Sequence, residues 1–185
     1  MITPISKNYK GLISITGPTR SGKSQLAEFL IKEQALVTYI ATSKPRPDDP
    51  DWQQRVFLHR QRRPDSWTLI EYPNDICKVI DSISGNESLL IDSLGGLVEH
   101  YLFEDDVQWR FFQNKLLNCF KESNLCIVVV SEEVGWGIVP ATPIGHLFRE
   151  RHSNLTSLIS LHSKQRWLAV NGIAIDLDKI GDLIP

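Results

Sequence analysis

Apolar and polar positions fall into blocks along the chain, and the period of each block predicts its secondary structure. Three apolar runs bounded by turn or polar residues read as buried strands: Leu12–Thr16, Leu36–Ala41 and Leu125–Val130. Two shorter runs, Trp67–Glu71 and Leu89–Asp92, are candidates to pair with them. Between the strands lie stretches of helical period: Ser24–Glu33, Asp51–Arg62, Asp75–Ser84, Leu94–Leu102, Val107–Lys121 and Ile144–Leu161. Strands that alternate with helices predict a mostly parallel α/β sheet with crossover helices on both faces. The C-terminal part breaks that rhythm. Asn171-Gly172 separates Trp167–Val170 from Ile173–Leu177, a strong hairpin signal, so one antiparallel strand is expected at the sheet edge. The segment Lys44–Pro50 carries three prolines and two adjacent acids and is expected to break both element types and to be mobile. No repeat, low-complexity tract or domain boundary is visible. Residues 1–10 read as a short extension of one domain spanning 1–185.

Composition narrows the function classes. The 185 residues are 42% hydrophobic and 23% charged, ordinary usage for a globular chain with a real core. The 20 basic and 22 acidic side chains leave a net charge of −2, which argues against bulk electrostatic binding of nucleic acid or an anionic membrane. The longest apolar run, Leu125–Val130, is far too short to span a bilayer, and Met1–Lys10 lacks the apolar stretch of a secretion signal. Cys77, Cys119 and Cys126 lack metal-ligand spacing and read as reduced thiols of a cytoplasmic protein.

The candidate chemistry starts directly after the first strand. Gly17-Pro18-Thr19-Arg20-Ser21-Gly22-Lys23-Ser24 fits G-x-x-x-x-G-K-[ST] and stands between a strand and a helix, which is the context that motif requires. In such a P-loop, glycines let backbone N–H groups turn inward around phosphate oxygens, and the helix N-terminus adds partial positive charge. Lys23 is expected to reach the β- and γ-phosphates, and the Ser24 hydroxyl to hold Mg²⁺. Asp92 ends the fourth strand, where the second Mg²⁺-holding carboxylate of a P-loop site belongs; the alternative is that Asp92 or Ser93 caps the following helix. A second cluster is Arg55-Val-Phe-Leu-His59-Arg60-Gln61-Arg62-Arg63. Arginines around one histidine attract polyphosphate and disfavour imidazolium, and a neutral imidazole is a competent nucleophile at phosphorus. The alternative is a solvated basic helix face with an incidental histidine. His100, His146, His152 and His162 lack such a setting, and His146 and His162 fall on one long helix without an assigned role.

In order along the chain, four features resemble one known family. They are Arg20–Ser24; Tyr39-Ile-Ala-Thr-Ser43; Arg55-x-x-x-His59 with Arg63-Pro64, Trp67 and Glu71; and Glu133-Val-Gly-Trp-Gly-Ile-Val-Pro140. Phe148-Arg149 and Gly172 continue the match. The family is adenosylcobinamide kinase / adenosylcobinamide-phosphate guanylyltransferase, bifunctional P-loop enzymes of cobalamin biosynthesis. The resemblance implies phosphorylation of the aminopropanol hydroxyl of adenosylcobinamide by ATP or GTP, then GMP transfer through a guanylylated histidine that falls on His59. It implies nucleotide contacts at Gly17, Pro18, Thr19, Arg20, Ser21, Gly22, Lys23, Ser24, Thr42, Ser43, Lys44, Arg60, Gln61, Arg62, Arg63, Glu71 and Asp92. It also implies a homotrimer.

On this reading Lys23, Ser24, Asp92 and Mg²⁺ serve phosphoryl transfer, while His59 and its arginines serve attack at the α-phosphate and departure of pyrophosphate. Trp136 and the apolar Gly135–Pro140 segment either cover part of a large apolar-faced substrate or form a packed loop. Several positions depart from the family pattern. Pro18 replaces a glycine and removes an N–H donor. Glu150 stands for an aspartate, and Ser153, Thr156, Ser157, Ser163 and Lys164 replace Gly, Asn-Gln and Ala-Asp. Two other readings therefore stand beside the first: a P-loop kinase for another alcohol without guanylyl transfer, and a non-catalytic nucleotide-binding relative.

Overall fold

Seven strands form one sheet in the order β3-β2-β4-β5-β1-β6-β7, in a computed structural model that describes residues 2–83 and 85–184. The strands are β1 (Gly11–Gly17), β2 (Val37–Ala41), β3 (Thr68–Glu71), β4 (Ser88–Asp92), β5 (Cys126–Glu132), β6 (Gln165–Val170) and β7 (Ile173–Asp176). All neighbours are parallel except β6 and β7, the hairpin read from Asn171-Gly172. Both turn residues have positive φ, +49° and +78°, which is the backbone this tight turn requires.

The helices are α1 (Lys23–Ile31), α2 (Pro50–Arg62), α3 (Ile76–Ser82), α4 (Leu94–His100), α5 (Asp106–Glu122), α6 (Pro143–His162) and a short α7 (Leu177–Ile180) that the pattern did not announce. Strand alternation sends Leu90, Val128 and Val130 to one face, against Leu26, Ala27 and Leu30 of α1. Leu89, Ile91, Ile127 and Val129 go to the other, against Ile80, Leu116 and Leu155 of α3, α5 and α6. Both faces are covered, so the central strands read as continuous apolar runs rather than alternating ones. Each fully buried Leu or Ile contributes roughly 1.5–3 kcal/mol of transfer free energy. No helix among the described residues is long and apolar enough to cross a membrane.

Several boundaries differ from the sequence reading. Helix α3 ends at Ser82, and Ser84, its expected last residue, lies outside the described residues, as do Met1 and Pro185. Helix α4 stops at His100 rather than Leu102. Pro50 does not break structure: it is the first residue of α2, where a missing N–H costs nothing. Nor is the preceding segment without anchors, since Arg46 makes a two-pronged ion pair with Glu99 and Asp49 caps α2 through Trp52 N–H. Within residues 1–10, Ile5 is buried and its N–H donates to Leu30 O of α1.

One cap gives a direct test of this folding logic. Asp75 accepts from the N–H groups of Cys77 and Lys78 and pairs with Lys115 on α5 at 2.6 Å, and the Lys115 hydrogen bond is the main cause that holds its carboxyl below the usual range. Asp75→Ala should cost about 1 kcal/mol at neutral pH, and Asp75→Asn less, because an amide oxygen still caps. A carboxyl depressed in the fold stabilises above its unfolded pKa near ~3.9 and loses that contribution as pH falls through its lower folded value. The gap between wild type and Asp75→Ala in denaturant titrations should therefore close under acid conditions.

Candidate active site

A parallel sheet ends its strands at one edge, and the candidate residues gather there. After β1, residues 18–22 form the loop that leads into α1. Gly17 is required by packing: a Cβ there would collide with Ala169 O of β6 and with Ser21 Oγ. Arg20 and Gly22 hold positive φ, +60° and +96°, the inward turn a phosphate cradle needs. The hairpin supports the loop from outside, since Gly172 N–H donates to Ser21 O at 3.0 Å. Pro18 offers no N–H, but its carbonyl accepts from Lys23 Nζ at 3.1 Å and from Ser21 N–H at 3.3 Å, so the lysine reaches back across the loop. Ser21 is buried and its hydroxyl has no partner among the described residues. Thr19 and Arg20 are exposed at the loop tip, and Ser24 lies in the first turn of α1.

Asp92 ends β4, two strands from the cradle. It does not cap α4. Ser93 occupies the cap position without a capping bond from its side chain, while Asp92 Oδ2 accepts from the buried Tyr39 hydroxyl at 2.7 Å and lies 3.7 Å from His59 Nδ1. Burial, then the adjacent Asp92 charge, push the Tyr39 phenol far up, so it stays a donor. Helix α2 buries none of its own residues and is held mainly at its C-terminal end. There Arg62 grips Glu28 of α1 with two nitrogens at 3.1 and 3.2 Å, and Arg63 stacks over the Tyr39 ring at 4.1 Å. These contacts turn the His59 ring inward, leaving its side chain 34% exposed. Burial lowers the His59 pKa most; Asp92 opposes, and Arg62, Arg63 and Arg55 lower it further, which favours the neutral imidazole.

The remaining predicted contacts are more scattered. Thr42 is buried, and its hydroxyl joins β2 to β4 by accepting from Ser93 N–H at 2.9 Å and donating to Ser93 O. Ser43, Lys44, Arg60 and Gln61 are exposed, and Glu71 is exposed at the end of the edge strand β3. The loop after β5 is not packed: Trp136 is 65% and Ile138 97% exposed, although Arg149 donates to Gly135 O at 2.8 Å. Of the departing residues, Thr156 bonds Ser131 Oγ at 2.8 Å, Ser163 bonds back to Ile159 O, and Lys164 reaches Lys10 O.

Sequence reasoning gave no role to three residues that the fold brings to this edge. Tyr39 and Glu28 become relevant only when α2 folds over the sheet. Glu132 ends β5 as Asp92 ends β4, so the same signal, a carboxylate closing an apolar strand, was present. Its carboxylate accepts from Ser93 Oγ–H and from Gly95 N–H at 3.1 Å, and meets the buried His152 Nε2 at 3.3 Å. Burial works to raise its pKa, but the His152 and Ser93 hydrogen bonds outweigh that and lower it. His152 shares the core face of α6 with Leu155 and Ile159, whereas His146 and His162 are exposed on that helix.

Comparison with known proteins agrees with this architecture. The family model described as CobU, cobinamide kinase / cobinamide phosphate guanyltransferase, matches residues 13–177. The bifunctional adenosylcobalamin biosynthesis protein CobU of Escherichia coli (strain K12) is 30% identical over 181 residues, 90% of this chain and 99% of that one. The corresponding CobP of Pseudomonas aeruginosa PAO1 is 32% identical over 166 residues, 88% of this chain and 95% of its own. A solved Pyrococcus horikoshii OT3 structure, project PH0250, shares the fold with a TM-score of 0.52 at 9% identity, covering 97% of this chain and 94% of its own. With a match that runs from the first strand to the last helix, the chain belongs to the cobinamide kinase / cobinamide phosphate guanyltransferase family.

Proposed function

We propose that this chain phosphorylates adenosylcobinamide with ATP or GTP and then transfers GMP from GTP, through a guanylylated His59, to give adenosylcobinamide-GDP. The observation that carries the reading is the placement of the His59 ring, held inward beside Asp92 at the sheet edge that bears the phosphate cradle, where burial and the neighbouring arginines favour its neutral form. With Nδ1 toward Asp92, the Nε2 lone pair is free to attack. In that step the N–P bond to the α-phosphorus forms, the bond from the α-phosphorus to the bridging oxygen breaks, and pyrophosphate leaves. Arg55, Arg60, Arg62 and Arg63 supply the cations that accept its charge.

In the kinase step the backbone of residues 17–22 and Lys23 hold the β- and γ-phosphates. Ser24 and Asp92 are the residues we assign to Mg²⁺. Their donor set, one hydroxyl and one carboxylate with an oxygen free of protein hydrogen bonds among the described residues, suits a hard cation that keeps several waters. No group of three or more His, Cys, Asp or Glu is gathered among the described residues, as a dedicated all-protein cage would require. Bound there, Mg²⁺ supplies charge neutralisation along the phosphates. The exposed Trp136, Ile138 and Val139 offer an apolar surface for a large substrate. The nucleotide contacts at Thr42, Ser43, Lys44, Gln61 and Glu71, the homotrimer and a cytoplasmic location, which the free thiols suit, belong to the same proposal.

Incubation with α-labelled GTP and Mg²⁺ should leave an acid-labile label on wild-type protein and none on His59→Ala. Unchanged labelling of His59→Ala would defeat the assignment of the nucleophile. Lys23→Ala should slow phosphorylation of adenosylcobinamide by roughly 10²- to 10³-fold, the usual loss when one preorganised charge-stabilising donor is removed. A rate within a few fold of wild type would mean that the cradle does not hold the reacting phosphate.

A further inference from the structure

The kinase half of the proposed function lacks one participant, a group to take the proton from the attacking hydroxyl. We infer that Glu132 is that proton acceptor and that His152 positions it; the inference rests on the reading above and adds a catalytic residue to it. The register pairs Glu132 directly with Gly17, the first residue of the cradle, at a strand spacing of about 4.8 Å. The two chains are joined again one residue on, where Glu133 N–H donates to Gly17 O at 2.8 Å. The other carboxylates at this edge are placed for other work. Asp92 already faces Tyr39 and His59, Glu133 is bonded to Gly135 N–H of its own loop at 2.5 Å, and Glu71 lies on the far edge strand.

The setting is built rather than incidental. Glu132 is held by three donors, Ser93 Oγ–H and Gly95 N–H at the start of α4 and His152 of α6, yet its side chain remains 35% exposed. Gly95 makes room for it, since a Cβ there would lie 2.9 Å from the carboxylate. Behind it His152 is 1% exposed, and an ionised carboxylate can only accept, so Nε2 carries the proton. Its Nδ1 faces Thr156 Oγ1 at 3.4 Å, which in turn meets Ser131 Oγ at 2.8 Å. The hydrogen bonds along this buried polar chain offset the cost of placing it in the core, and together they fix the direction of one carboxylate. The ionised state, favoured by those hydrogen bonds, is the one a base requires. In the step, the substrate O–H bond breaks as its oxygen bonds the γ-phosphorus. The proton passes to Glu132, and the nucleoside diphosphate leaves with the bridging oxygen.

The test uses the full chain with ATP, Mg²⁺ and adenosylcobinamide. Glu132→Gln should lower kcat by about 10²- to 10⁴-fold, with nucleotide KM and melting temperature close to wild type. His152→Phe, which removes the positioning donor, should lower kcat by roughly tenfold, and His152→Gln should recover most of it because its amide N–H still donates. Retention of kcat within about threefold in Glu132→Gln would overturn the inference, as would a loss that only tracks falling nucleotide affinity and melting temperature. A wild-type chain that phosphorylates no adenosylcobinamide would instead overturn the proposed function itself, so the two failures are separable.

Discussion

Everything chemical in this protein depends on a constraint of the parallel sheet: its strands all end at the same edge. Gly17, Ala41, Glu71, Asp92 and Glu132 close five strands there; the ladder register pairs Ala41 with Glu71 and Asp92, and Gly17 with Glu132, while Asp92 lies beside Val130. Main-chain hydrogen bonds therefore set the spacing between a phosphate cradle and three carboxylates, before any side chain chooses a rotamer. Gly17 and Glu132, far apart along the chain, become neighbours a few ångströms apart. The two apolar layers on either face keep that edge rigid, because shifting one strand by a residue would turn its buried side chains to the wrong layer.

Helix α2 obeys a different logic. It buries no residue, and Phe57 and Leu58 on it are more than 45% exposed. What holds it are polar contacts at one end: Arg62 on Glu28, Arg63 over Tyr39, and His59 facing Asp92. Partly exposed ion pairs contribute only about 1 kcal/mol or less each, so α2 belongs to the least stable part of the molecule. On the proposed function, this suits a helix whose histidine meets an α-phosphate in one reaction and stands aside in the other. Asp92 sits at the centre of these contacts, since the same carboxylate accepts from the Tyr39 hydroxyl and faces the imidazole.

The positions that depart from the family pattern gain meaning from packing. Thr156 connects β5 to His152, Ser163 turns back on its own helix, and Lys164 ties the start of β6 to the chain before β1. Thr156 thus supports the sheet edge that bears the cradle, whereas Ser163 and Lys164 tie down the opposite edge, where β1 and β6 begin. Gly172, a hairpin residue by its backbone angle, is also a support of the cradle through Ser21 O.

Reading the chain from its residues alone determined the layered α/β architecture, the antiparallel hairpin, the phosphate cradle and the presence of a histidine among arginines. Each of these is local, written in apolar period, in glycine spacing or in neighbouring charges. The sequence could not say that Asp92 turns toward Tyr39 rather than capping α4, since both depend on one side-chain torsion. Nor could it separate His152 from His146 and His162 on a common helix, because burial follows from which face meets the sheet. The pairing of Glu132 with Gly17 was beyond it as well. Only tertiary structure decides such contacts: local propensity acts over a few residues, whereas strand register and helix docking join segments that the chain keeps far apart.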